Sequence, residues 1–466
     1  MSGLNIGLSL IFPLITLPYV SKVLGVENIG KYNFSNTFCS YFVLLAALGV
    51  NTYGIRECSK VRNDREKASD FVSQIFTINM LTTLAAYILL FTVLAVTDSL
   101  KPYRSCILVF SVTLFFTTLG IEWVYKAYEQ FSYITVRNAV FKIIALFLLF
   151  IFVKKEEDYV IYALITVVST SGAYILNYIH SNHYCKVRLT RSIQWKIHFK
   201  PLVLLSASAL AVHIYNSSDT LMLGLLTNDY YVGIYTTSSR IYLMAKSILL
   251  AILSVAIPEL SVLVTDKNHF EYLVKKIINA MNFFALPLMI GIICLSDQII
   301  NILAGTAYAG AASSLKILSI AIICSMYAWI ASECVLIPAK REKDSLISTG
   351  IAAMINIGLN FIFIPLWNAN AAAVTTCIAE CFVMVYCTIK ADKVTSVSFI
   401  NRETFKVLAG CSGVVFVCVL VRFFIKGFVM QTVVAVTGSV LVYFLINLIL
   451  RNEICILVRT LIGRLI

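Results

Sequence analysis

The chain has 466 residues, of which 59% are hydrophobic and 13% charged, and its formal net charge is +13. So little polar sequence leaves no room for a separate soluble domain of ordinary size. The basic residues fall in short loops rather than a continuous patch, which excludes a nucleic-acid-binding surface as the source of the charge.

Fourteen apolar stretches are predicted to cross a bilayer as helices: 4–24, 32–55, 71–96, 104–126, 134–153, 157–184, 201–226, 234–260, 272–296, 312–338, 345–366, 370–390, 404–425 and 429–450. Each is near or above the ~20 residues that span the hydrocarbon core. The fold class is therefore all-α, a polytopic membrane protein. The first stretch lacks a basic start and a small-residue cleavage site, and Pro13 and Pro18 interrupt it, so it reads as a retained helix and not a signal peptide. Nineteen Lys and Arg lie in the even-numbered loops against five in the odd-numbered ones. By the positive-inside rule both termini are then cytoplasmic. Contact with anionic headgroups accounts for most of the excess charge.

Two turns read alike. Leu24-Gly25-Val26-Glu27-Asn28-Ile29-Gly30-Lys31-Tyr32 follows the first span, and Leu225-Leu226-Thr227-Asn228-Asp229-Tyr230-Tyr231-Val232-Gly233-Ile234-Tyr235 follows the seventh. Six spans separate them, so a duplication would give two halves of parallel topology. The expected organisation is a six-helix lobe over 1–184, a cytoplasmic loop at 185–200, a second six-helix lobe over 201–390, and two added helices with a cytoplasmic tail over 391–466.

Charged and amide side chains inside the spans are the candidate site, because each charge costs roughly 2.5–3.5 kcal/mol at a helix centre on insertion scales and must be paired or face water. Residues equidistant from a hairpin turn share a depth. About the turn near 229–230, this couples Asp219 with Arg240 and His213 with Lys246. Arg240 and Lys246 then either meet an anionic headgroup, with Asp219 or His213 exchanging a proton, or the couples simply tie the hairpin together. About a turn near 368, Asn356 stands opposite Glu380, with Asn360 one turn outward; this is either an ion-coupling site or a structural interhelical bond. Lys142 faces a threonine rather than an acid across its hairpin and is expected to face a phosphate. Glu122 and Arg137 lie level near the cytoplasmic end, as a structural salt bridge. The thirteen cysteines make no C-x-x-C pair. Cys377 and Cys381 share a helix face, but no third Cys or His is near in sequence, so a packing role is expected. No metal site and no catalytic constellation is legible, and no cofactor is expected beyond a coupling H⁺ or Na⁺.

The opening Pro13-Leu14-Ile15-Thr16-Leu17-Pro18-Tyr19 with Val23-Leu24-Gly25 and Gly30 resembles the polysaccharide transporter branch of the multidrug/oligosaccharidyl-lipid/polysaccharide (MOP) exporter superfamily, the Wzx-type O-antigen flippases. Glu122-Trp123 with Tyr125, Tyr215-Asn216 with Asp219, Asn356 with Asn360 and Ile364-Pro365, and Glu380 extend the likeness to about residue 390. The resemblance implies a flippase, not an enzyme, in a bacterial inner membrane. Its substrate would be an undecaprenyl-diphosphate-linked O-antigen or capsular repeat unit, moved outward by alternating access. A polysaccharide polymerase and a chain-length regulator are the implied partners. Three other readings stay open: a drug or cation antiporter of the same superfamily, a lipid-linked peptidoglycan-precursor flippase, and a polytopic polysaccharide polymerase or ligase.

Overall fold

The computed structural model describes residues 2–253, 260, 266–396 and 398–462, and among these the regular elements are all helical. Residues 254–259 of the expected span 234–260 and the last four residues lie outside the described residues. The chain divides into two compact units, 1–233 and 234–466. The division falls at the end of the turn after the seventh span and not in the 185–200 loop, because the seventh helix packs with the first unit.

The first unit holds α1 (Ser2–Ala47), α2 (Val50–Val61), α3 (Arg65–Val96), α4 (Arg104–Leu119), α5 (Glu122–Ala127), α6 (Phe131–Phe152), α7 (Tyr159–Ser171), α8 (Tyr174–His180) and α9 (Trp195–Leu226). Two spans are folded into α1. Gly25 divides them with φ 71°, a conformation that costs an L side chain roughly 1–2 kcal/mol and glycine almost nothing. The second span closes at Leu48 and Gly49, both at positive φ, and resumes as α2. α1 packs against α3, α4, α6, α7 and α9, which makes it the centre of the unit. Asp64 caps α3, accepting the Glu66 and Lys67 amides.

The 185–194 segment is fastened to α3 by side chains. Ser69, Ser73 and Thr77 accept the amides of Lys186, Arg188 and Thr190 at 2.9, 3.2 and 3.0 Å. Four helical residues advance about 6 Å and two extended residues about 6.6 Å, so the two periods stay in step over this length. Gln74, outside that register, adds a further tie by accepting the Gln194 amide at 2.9 Å.

The second unit holds most of α10 (Asp229–Leu253), then α11 (Lys267–Leu303), α12 (Ala311–Trp329), α13 (Glu342–Ala391), α14 (Arg402–Phe424), α15 (Phe428–Ile449) and the short α16 (Glu453–Ile462). α12 runs into a π-turn, Ile330–Leu336, that carries Glu333. α13 is two spans broken at Asn368 (φ 52°, ψ −128°), where the hairpin turn was expected. The two added helices pack on α11 through a core that includes Phe283, Leu295, Val414, Ala435 and Tyr443.

Eleven helices in the described residues are long and apolar enough to cross a membrane. Two of them, α1 with α2 and α13, each contain two spans, and α10 adds one, so the expected fourteen are accounted for. This is a multi-pass membrane protein.

Candidate functional site

In the second unit the polar centre joins α10 to the limb of α13 that follows the Asn368 break, residues 369–391. Glu380 is 6% exposed, and its Oε1 accepts from Lys246 Nζ at 3.2 Å and from the Tyr242 hydroxyl at 3.2 Å. Tyr242 and Lys246 are four residues apart and so share a helix face. The ammonium also lies 5.8 Å from the centre of the Tyr242 ring. A carboxylate and an ammonium that would each be costly in lipid thus offset one another, with a hydroxyl adding a charge-assisted bond. Arg240, on the same helix, is half-buried.

A second cluster spans the Asn368 break. Asn360 donates to Asn356 Oδ1 at 3.0 Å, and the Thr375 hydroxyl donates to Asn360 Oδ1 at 2.6 Å. Asn356, Asn360 and Thr375 are all buried. Thr375 was legible in principle, because it stands seven residues after Asn368 and Asn360 eight before, but its weak polarity hid it.

In the first unit, His213 Nε2 lies 2.8 Å from Ser40 Oγ, and its ring meets Tyr41 edge-on with centroids 4.8 Å apart. His213 and Lys246, expected at one depth, have their hydrogen bonds to different helices, His213 to α1 and Lys246 to α13. Equal depth does not make two side chains face each other, because azimuth is set by packing. Asp219 is buried at 4% exposure, and Lys142 is half-buried on α6.

The Glu122–Arg137 bridge is present. Arg137, its side chain 4% exposed, donates to Glu122 Oε2 at 2.9 Å and to Asn177 Oδ1. Glu122 also holds Lys126 at 3.0 Å. Asn177 extends the node by donating to the Gly120 carbonyl at 2.9 Å, and its own carbonyl accepts the Tyr125 hydroxyl at 2.6 Å. Pro13 and Pro18 both lie within the first limb of α1, which runs through them as helix up to Gly25.

The two similar turns meet. A Cβ on Gly30 would come within 1.9 Å of the Asp229 carbonyl oxygen, and one on Gly233 within 2.2 Å of the Val26 carbonyl oxygen. Each glycine touches the residue four positions before the other, so the contact is reciprocal. Both backbones approach more closely than any side chain permits.

The sequence profile of the polysaccharide biosynthesis protein family matches residues 2–264. The chain belongs to that family. This agrees with the resemblance carried by its opening motif. A protein of Escherichia coli (strain K12) whose name assigns it to O-antigen transport is 22% identical over 393 residues, 81% of this chain and 92% of that one. The solved structure of the lipid II flippase MurJ in an inward closed conformation superposes with a TM-score of 0.80 at 17% identity, covering 97% of this chain and 99% of that one. An inward-facing multidrug resistance MATE family transporter of the MOP superfamily gives 0.59 at 14% identity, over 84% of this chain and 95% of that one. These likenesses establish a MOP-type transporter fold, and the named relatives are transporters and flippases.

Proposed function

We propose that the protein is a flippase that carries undecaprenyl-diphosphate-linked oligosaccharide repeat units, for O-antigen or capsule, from the cytoplasmic to the outer leaflet of a bacterial inner membrane, with both termini cytoplasmic. The observation that carries this reading is the full-length fold likeness to a lipid-linked-precursor flippase in a chain of the polysaccharide biosynthesis family. Lys142 in the first unit, and Arg240 with the Glu380-paired Lys246 in the second, are each a cation within the spans that an anionic headgroup would meet; Arg240 offers a two-pronged contact and a lysine a point charge. Glu380, Asn356, Asn360, Asp219 and His213 are the groups through which H⁺ or Na⁺ would couple to the cycle. The reciprocal glycine contact closes the outer side in one half of an alternating-access cycle. Substrate would arrive from the cytoplasmic assembly of the repeat unit and leave toward a polysaccharide polymerase with its chain-length regulator. The protein performs no bond chemistry of its own.

The test is translocation of labelled undecaprenyl-diphosphate oligosaccharide in proteoliposomes, comparing wild type with Arg240→Ala and Lys142→Ala at matched protein levels. Movement that collapses in both variants is expected. Drug efflux against an ion gradient without glycolipid movement would overturn the reading in favour of an antiporter. The MurJ likeness favours one second reading, a peptidoglycan-precursor flippase, and lipid II in the same vesicles separates the two.

A further inference from the structure

The 185–194 segment and the first turns of α3 enclose a cavity of about 560 Å³ whose lining carries charge of both signs. Its size is that of a small-molecule pocket, roughly 300–1,000 Å³. Glu66 and Asp70, four residues apart on α3, form an acidic wall, and Lys186 and Arg188, two apart on the extended segment, form a basic one. These spacings put each couple on one face of its element. Val187, between the two exposed cations, is buried, as that alternation requires. Among the described residues none of the four charged groups has an opposite charge within 4.0 Å.

The walls are fixed from behind. Ser69 donates to the Arg65 carbonyl at 2.6 Å and accepts the Lys186 amide, while Ser73 donates to the Lys186 carbonyl at 3.2 Å and accepts the Arg188 amide. Both hydroxyl protons are thereby used, so the groups left to meet a ligand are charges. Gln74 Nε2 donates to Asp70 Oδ2 at 2.9 Å and steadies that carboxylate.

The cavity lies at headgroup depth. The charge-free run of α3 begins at Phe71, so Glu66 and Asp70 precede it by about 7.5 and 1.5 Å along the helix axis. The polar layer on each side of a bilayer is roughly 5–8 Å thick. Leu189, 67% exposed, adds an apolar side chain to the lining.

We propose that this cavity binds the headgroup of a zwitterionic phospholipid of the phosphoethanolamine type. Lys186 and Arg188 take the phosphate, Glu66 and Asp70 take the primary ammonium, and Leu189 lies toward the acyl chains. The two signs decide the class: an uncharged glycerol headgroup leaves the acidic wall without a counter-charge, and a quaternary ammonium has no N–H to donate to a carboxylate. The bound lipid bridges α3 to the segment that leads into α9.

The test uses the full-length protein in detergent, stripped of lipid and offered an equimolar mixture of phosphatidylethanolamine, phosphatidylglycerol and phosphatidylcholine with identical chains. Native mass spectrometry reads the adducts. Phosphatidylethanolamine should exceed each of the others by about fivefold, the upper strength of an exposed ion pair. Lys186→Gln with Arg188→Gln should lower that adduct by about the same factor, with a melting temperature near wild type, because the segment is held by its backbone amides. Glu66→Gln with Asp70→Asn, which keeps an acceptor for Gln74, should abolish the preference over phosphatidylglycerol. Lys267→Gln, a cation outside the cavity, should match wild type. Inorganic phosphate at the lipid concentration should displace nothing. Equal adducts of the three lipids, or a preference unchanged in the Glu66 and Asp70 variant, overturns the proposal. Displacement by equimolar inorganic phosphate overturns it too, by making the cavity a site for a free anion. None of these readouts depends on which lipid the protein carries.

Discussion

Replacing Gly30 with alanine tests the reciprocal turn contact. The new Cβ would lie 1.9 Å from the Asp229 carbonyl oxygen, where real Cβ atoms keep at least 3.0 Å, so the turns must part by at least the difference, 1.1 Å. For Gly233→Ala the nearest atom is at 2.2 Å and the required movement is 0.8 Å. Both obstacles are backbone carbonyls, which cannot swing aside as a long side chain would. Overpacking of this kind costs about 1–3 kcal/mol. If it falls only on the closed form, the opening equilibrium shifts by about 5- to 150-fold. Hydrogen–deuterium exchange resolves this through peptides covering 24–34 and 226–236. Both should exchange faster in Gly30→Ala, less so in Gly233→Ala, with transport reduced in the same order. Gly358→Ala, whose Cβ would meet nothing within 4 Å, is the control and should match wild type. Wild-type exchange and transport in Gly30→Ala would refute the contact as a gate.

Four further outcomes follow from the geometry. Arg137→Met leaves Glu122 with Lys126 alone and should lower stability by roughly 2–4 kcal/mol, below the full cost of orphaning a buried charge because Glu122 keeps one partner; adding Glu122→Gln should recover part of it in a thermal-melt double-mutant cycle. Lys246→Met should impair both melting temperature and transport, and the charge swap Lys246→Glu with Glu380→Lys should restore the first without the second if Lys246 meets substrate. Recovery of both would make the pair purely structural. Asp64 is held below the usual Asp range by Lys67 and by the amides it caps; a lowered folded pKa means stability that is complete above the unfolded value of 3.8 and lost as pH falls through the folded one. Asp64→Asn, which keeps an acceptor for the cap, should therefore show a flatter melting temperature across that acid range than wild type. Thr375→Val should leave Asn360 Oδ1 without its hydroxyl donor; if the proposed H⁺ or Na⁺ coupling runs through this cluster, the ion concentration that half-activates transport should shift, and an unchanged value would remove the cluster from the coupling path.

Hydropathy and charge placed the helices closely, because a bilayer acts on a chain one span at a time. The apolar lengths, the break near 368 and a break at Gly25 follow from local sequence, since Gly25 and Asn368 are residue types that tolerate positive φ, whereas residues 26–32, expected as part of a turn, are already helical. Depth was legible for the same reason: a fixed rise per residue converts number into height. Azimuth was not. Glu380 finds Tyr242 and Lys246, His213 finds Ser40, and Cys381 finds Cys324 across 57 residues of chain, because which face of one helix meets which face of another depends on how every neighbour packs. The sequence determined by itself that the chain lives in a membrane, where it turns and at what height its polar groups lie; only the tertiary structure decided their partners, since partners are fixed by rotation about helix axes that one-dimensional periodicity leaves free.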